Sequence, residues 1–105
     1  MGVSASSIGP SPEEIYRLVS AAAVQRRPIT ALYDGARRLL CPHGLGYHQA
    51  GEWRVFCYQY GGETKSGPLP SRGEGIWRCL AMRKLSSVAV LDGPWRTNPM
   101  LLNVV

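Results

Sequence analysis

The stretch PHGLGYHQAGEWRVFCYQY, residues 42–60, decides the fold. It reads as two strands joined by a tight turn. Residues 53–60 form the longest run of β-favouring residue types in the chain, with Trp53, Val55, Phe56, Tyr58 and Tyr60 all suited to a pleated surface. Side chains alternate along a strand, so Trp53, Val55, Cys57 and Gln59 share one face and Arg54, Phe56, Tyr58 and Tyr60 the other. Apolar groups on both faces predict a central strand of a curled or covered sheet. Arg54 is the one charge inside it, and it either reaches a rim or faces a ligand.

Upstream, Ser11-Pro12-Glu13-Glu14 marks a helix start. Ser11 can cap, Pro12 suits the first helical position, and Glu14 can complete a capping box. Ile15, Leu18, Val19, Ala22 and Ala23 follow at helical spacing, and Pro28 stops the run. The predicted helix spans residues 12–25 and must dock on the β part to bury its apolar stripe. Residues 29–33 are a first strand, Asp34-Gly35 a turn, and residues 37–41 a second strand ended by Pro42. Residues 44–48 form a third short strand, with Gly44 or Gly46 permitting a bend.

Downstream, residues 61–75 hold five Gly and two Pro and read as a long loop. Residues 76–82 and 86–91 are further strands. Residues 1–10 are read as a mobile tail and residues 95–105 as a C-terminal tail. The barrel domain itself occupies residues 11–94. One helix followed by five or six strands gives a mainly β, α+β domain, or a small closed barrel with the helix packed on it.

Composition narrows the function classes. The 105 residues suffice for one domain with a modest core, and 45% hydrophobic with 18% charged residues fits a globular chain. The net charge of +5 rests on ten Arg and two Lys, which suits an anionic partner and equally an ordinary soluble surface. No run approaches the ~20 apolar residues of a membrane span. No secretory leader pattern is present, and Met1-Gly2 with Ser6 meets only the minimal myristoylation pattern. Cys41, Cys57 and Cys79 are odd in number and form no CxxC pair, which predicts buried, reduced thiols and a cytoplasmic protein.

Catalytic chemistry finds little support. Cys41 and His43 would share a strand face, but Pro42 between them breaks the ladder. Cys41, His43 and His48 could supply three zinc ligands without a partner pair. The carboxylates are accounted for by capping and turns, and no Walker-type phosphate loop is present. No cofactor is expected. What remains is basic and aromatic. Arg54, Tyr58, Tyr60, Trp77, Arg78, Arg83 and Lys84 lie on or beside strands, a composition that holds single-stranded nucleic acid by stacking and phosphate contact. The plainer alternative is that the rings are core and the arginines its edge.

Several motifs together resemble the WYL domain, a small β-barrel of Sm/SH3-like fold. Residues 29–33 look like its strand ending in Tyr. Leu40-Cys41-Pro42-His43-Gly44-Leu45-Gly46-Tyr47 looks like its V-x-P-x-x-L-x-Y segment. Gly51-Glu52-Trp53-Arg54-Val55 stands where the glycine turn and W-Y-L stand. Arg78 to Leu85 is similar to its R-x-F-R-x-D-R-I motif, with Arg78 at the first Arg place, Leu80 at the Phe place and Leu85 at the Ile place. Arg54, Val55, Ala81, Arg83 and Lys84 depart from the pattern, in the region that the family uses for ligand contact.

The resemblance implies a ligand-sensing module with a regulatory role. The expected ligand residues are Arg54, Arg78, Arg83 and Lys84, with Tyr33, Tyr47 and Tyr58 as stacking partners. Single-stranded nucleic acid or a nucleotide is the expected partner. The alternative is a homo-oligomer or a larger regulatory complex assembled through open barrel edges.

Overall fold

The computed structural model describes residues 10–65, 67–69 and 75–97. The tail read at residues 1–10, with its myristoylation pattern, lies outside these apart from Pro10, as do residues 70–74 of the Gly-rich segment and residues 98–105.

The chain opens with helix α1, Pro12–Gln25. Its capping box forms as the sequence predicts. The Glu14 amide donates to Ser11 Oγ at 3.2 Å, and the Ser11 amide donates to Glu14 Oε1 at 2.9 Å. Hydrogen bonding from the Ser11 backbone holds the Glu14 carboxyl below its ordinary range. Ile15, Val19 and Ala22 are buried, and Arg26 closes the helix in the left-handed conformation, φ 56°. Ser11→Ala removes the cap and is expected to cost about 1 kcal/mol. In a domain of this size that lowers the thermal midpoint by roughly 4–8 °C, measurable by circular dichroism.

Six strands follow: β1 Ile29–Tyr33, β2 Ala36–His48, β3 Glu52–Thr64, β4 Gly67–Pro68, β5 Ile76–Ala81 and β6 Ser86–Val90. A single 3-10 turn, Met82–Lys84, links β5 to β6. The sheet order is β6-β1-β2-β3-β5, antiparallel throughout, with the short β4 paired to the far end of β3. This is a mainly β domain, a curled half-barrel of five antiparallel strands with the helix packed on it, as the residue pattern predicts.

The period-2 reading of β3 holds in its middle. Val55, Cys57 and Gln59 are fully buried, and they meet Val19, Ile29, Leu40, Leu80, Leu85 and Val88 in the core or at its margin. Trp53, near the start of the strand, is partly exposed, and its ring meets Tyr16 of α1 and Tyr47 at 5.2 and 5.4 Å.

Three local expectations are corrected. Pro42 does not end a strand, because β2 runs on to His48. β1 pairs only with Ala36 to Leu40, so β2 is already an unpaired edge at Pro42, where proline is tolerated. The bend comes from a bulge at His43: Pro42 pairs with Cys57 and Gly44 with Phe56, leaving His43 unmatched.

The Gly-rich segment does not begin as loop either, because β3 continues through Gly61 and Gly62 against Leu39 and Arg38. At Gly62, φ 82°, any side chain would strike the Arg37 carbonyl, so glycine is required there. Finally, Cys41 and Cys57 are buried but Cys79 is exposed, because it lies on the outer face of β5 opposite Phe56. Among the described residues no helix is long and apolar enough to cross a membrane.

Candidate anion-binding cluster

Among the described residues Gln59 is the one buried uncharged polar side chain, and the cluster is built around it. Its position on the inner face of β3 gives it no access to solvent, so its carboxamide must find protein partners. Nε2 donates to the Gly61 and Glu63 carbonyls at 3.0 and 2.9 Å. Oε1 accepts from two guanidiniums, Arg38 Nη1 at 3.2 Å and Arg78 Nε at 3.2 Å. Arg38 comes from the adjacent β2. Arg78 comes from β5, where pairing with Cys57 places it on the inner side of the sheet.

Arg38 is only 3% exposed. Its Nε and Nη2 both donate to the Tyr33 carbonyl, at 3.3 and 3.1 Å. Every hydrogen-bond acceptor around it is therefore neutral. Burial, and then the charge of Arg78, work against its proton, and the charge of Asp34 only partly offsets them. The cluster continues over Tyr33, whose hydroxyl accepts the Ala81 amide at 3.2 Å. The Arg38 guanidinium and Lys84 Nζ each lie 5.3 Å from the Tyr33 ring centre. Lys84 pairs with Asp34 at 3.2 Å. Three cations thus gather around Gln59 and Tyr33, with the Asp34 carboxylate paired to Lys84. The two terminal nitrogens of Arg78 have no hydrogen-bond partner among the described residues.

Arg54, Arg83 and Tyr47 lie elsewhere, because Arg54 points to the opposite face of β3 from Gln59. Arg54 donates to Glu52 Oε2 from Nε at 2.9 Å and from Nη2 at 2.7 Å, and Arg83 Nε donates to Glu52 Oε1 at 2.8 Å. Hydrogen bonds from Arg83, then from Arg54, hold the Glu52 carboxyl below its ordinary value of 4.5. A carboxyl depressed in the folded state stabilises above its unfolded pKa, and that contribution disappears as pH falls through the folded pKa. Acid unfolding of Glu52→Gln is therefore expected to show a shallower loss of stability below pH 4.5 than the parent. Denaturant midpoints across that range check it.

Of the seven residues read as ligand contacts, Arg78, Lys84 and Tyr33 gather around Arg38. Arg54 and Arg83 gather on Glu52, with Tyr47 exposed on the nearby β2 edge. Tyr58 is buried in an aromatic layer, with its ring 5.2 Å from Trp77 and its hydroxyl accepting the Gly75 amide at 2.6 Å. Sequence reasoning missed Arg38 and Gln59 as site residues. The signal for both is parity: each is a polar residue on a face otherwise filled by Ala36 and Leu40, or by Val55 and Cys57.

The Cys41–His43 pair has a different geometry from a catalytic dyad. His43 Nδ1 donates to the Cys41 carbonyl at 2.8 Å, and its Nε2 contacts Thr97 Oγ1 at 2.9 Å. The Cys41 thiol accepts the Arg96 amide at 3.3 Å. Burial pushes that thiol up and the His43 imidazole down, away from thiolate formation. Trp95 packs on His43 at 4.6 Å and Arg96 lies over the Tyr60 ring at 4.6 Å, so the start of the segment read as a tail is packed on the sheet. Among the described residues no three His, Cys, Asp or Glu side chains converge on a point where a metal ion could sit.

Comparison with protein-family models, with curated proteins and with solved structures finds no match to this chain.

Proposed function

We propose that this domain is a non-enzymatic binding module of WYL type, in a regulatory role, that holds an anionic ligand against the Arg38–Gln59–Arg78 cluster. Single-stranded nucleic acid or a nucleotide is the ligand class. The observation that carries this reading is that two guanidiniums share one neutral amide oxygen. A buried charge is normally balanced by a partner of opposite sign. Arg38 has only carbonyl and amide oxygens as acceptors, and the Arg78 fork is open. An oxyanion at the free end of Arg78 supplies the missing charge and accepts two charge-assisted hydrogen bonds. Lys84, over the Tyr33 ring, adds to the positive field.

The test is fluorescence polarisation of a labelled single-stranded oligonucleotide, at low and at moderate salt. Saturable binding that weakens with salt supports the reading, because phosphate contacts release counterions. No binding at low salt removes it.

A second reading, homo-oligomerisation, is favoured by the outer edge of β2. Residues 44–48 pair with β3 on one side and with no strand on the other among the described residues. Such an edge is a template for another strand. Solution scattering at high concentration separates the readings: a dimer supports edge pairing, and a monomer excludes it.

A further inference from the structure

On the face of the sheet opposite Gln59, the strands β2, β3 and β5 enclose a groove of about 410 Å³. Gly44, Gly46, Tyr47, Arg54, Phe56 and Cys79 line it. The volume falls within the range of small-molecule sites. We infer that this groove is a second ligand site, separate from the Arg38–Gln59–Arg78 cluster, and that it takes a small aromatic carboxylate.

The ring part of that ligand follows from the walls. Phe56 is 38% exposed, an unusual position for a phenylalanine in so small a domain. Its ring is braced from behind by Trp77, parallel within 9° at a centroid distance of 4.8 Å. It is therefore a fixed platform and not a loose surface side chain, and a flat ring gains from stacking against it.

The groove is open because Gly44 and Gly46 put no side chain on the same face of β2. Neither has a positive φ, and a Cβ built at either meets nothing within 4 Å. Backbone conformation and internal packing thus leave both positions free to carry a side chain. Glycine within a strand weakens it and marks places where something approaches the backbone closely.

The acid part follows from charge. Arg54 is the one ionised side chain lining the groove. Its Nε and Nη2 are both committed to Glu52, and the guanidinium also interacts with the Cys79 side chain, which together hold it in place at the groove wall. The neighbouring carboxylate, Glu52, is itself shared with Arg83. One fixed cation matches a monoanion better than a phosphate dianion. His48 lies at the end of the groove, where its Nδ1 accepts the Ala50 amide at 3.0 Å. Its Nε2–H is left as a second donor.

The test uses the full chain with 2-naphthoate as the probe and the neutral 2-naphthylmethanol as its control. The readout is the set of amide resonances of Gly44, Gly46 and Phe56. The naphthoate is expected to give saturable shifts at these positions, with affinity at least tenfold above that of the alcohol. Gly46→Val puts a side chain into the groove at a position where a Cβ meets nothing within 4 Å, so it is expected to fold normally and lose at least tenfold in naphthoate affinity. Arg54→Gln is expected to abolish the preference for the acid over the alcohol. Arg78→Gln is expected to leave naphthoate binding unchanged, which keeps this site distinct from the first. Absence of saturable shifts with millimolar naphthoate, equal binding of acid and alcohol, or unchanged affinity in a folded Gly46→Val protein overturns the inference.

Discussion

Replacing Gln59 by leucine is expected to lower the thermal midpoint by roughly 15–30 °C, well beyond the effect of removing the Ser11 cap. Leucine fits the volume but removes all four hydrogen bonds of the carboxamide. The Gly61 and Glu63 carbonyls lose their donor, and the buried Arg38 guanidinium loses one of its acceptors. Leaving a buried charged group short of partners costs about 3–5 kcal/mol. Calorimetry or circular dichroism checks the value. A midpoint within a few degrees of the parent would show that Arg38 is satisfied without Gln59, and the cluster would lose its hub. The result is specific to this position: the adjacent Tyr60 and Tyr58 differ in face or partners, and neither bridges two cations.

Arg78→Gln is expected to have the largest effect on binding and almost none on folding. The two terminal nitrogens of Arg78 have no partner among the described residues, and charge-assisted hydrogen bonds contribute roughly 1.5–3 kcal/mol each. Its loss is expected to weaken oligonucleotide binding by ~10- to 100-fold, from one such interaction. The slope of log affinity against log salt should become shallower by about one phosphate contact. Stability should be unchanged or slightly higher, because the substitution removes a like charge beside Arg38. This split between binding and stability is the reverse of that expected for Gln59→Leu. Together the two variants separate what holds the cluster from what the cluster holds.

Much of the fold is legible in the residues themselves. Ser11, Pro12 and Glu14 carry the helix start in their own chemistry, and the structure places the cap where they put it. The alternation from Val55 to Gln59 likewise identifies the buried face of β3. The misread places are those where local chemistry yields to a partner distant in sequence. Pro42 is a ladder-breaker only where a second neighbouring strand needs its amide. That β1 stops pairing at Leu40 is a property of the barrel, not of residues 40–44. Gly61 and Gly62 carry turn-like composition, yet they stay in the strand because Leu39 and the Arg37 carbonyl pack against them.

The site divides in the same way. Arg78, Lys84 and Tyr33 are visible as residue types, but their convergence depends on the register that sets Arg78 opposite Cys57. No local pattern encodes that register. It also explains why Arg54, read as part of the same basic face, stands across the sheet on Glu52. Arg38 was legible in principle, since it shares parity with Ala36 and Leu40. A charged residue at an inward position is a signal that stacking and charge counts pass over.

The most direct measurement compares Arg78→Gln with Arg54→Gln in oligonucleotide binding at low salt. Each removes one positive charge, and the two residues lie on opposite faces of the sheet. If the Arg38–Gln59–Arg78 cluster holds the anion, Arg78→Gln loses binding and Arg54→Gln keeps it close to the parent level. Equal losses in the two would mean that net charge alone draws the oligonucleotide, and a loss confined to Arg54→Gln would move the site to the other face.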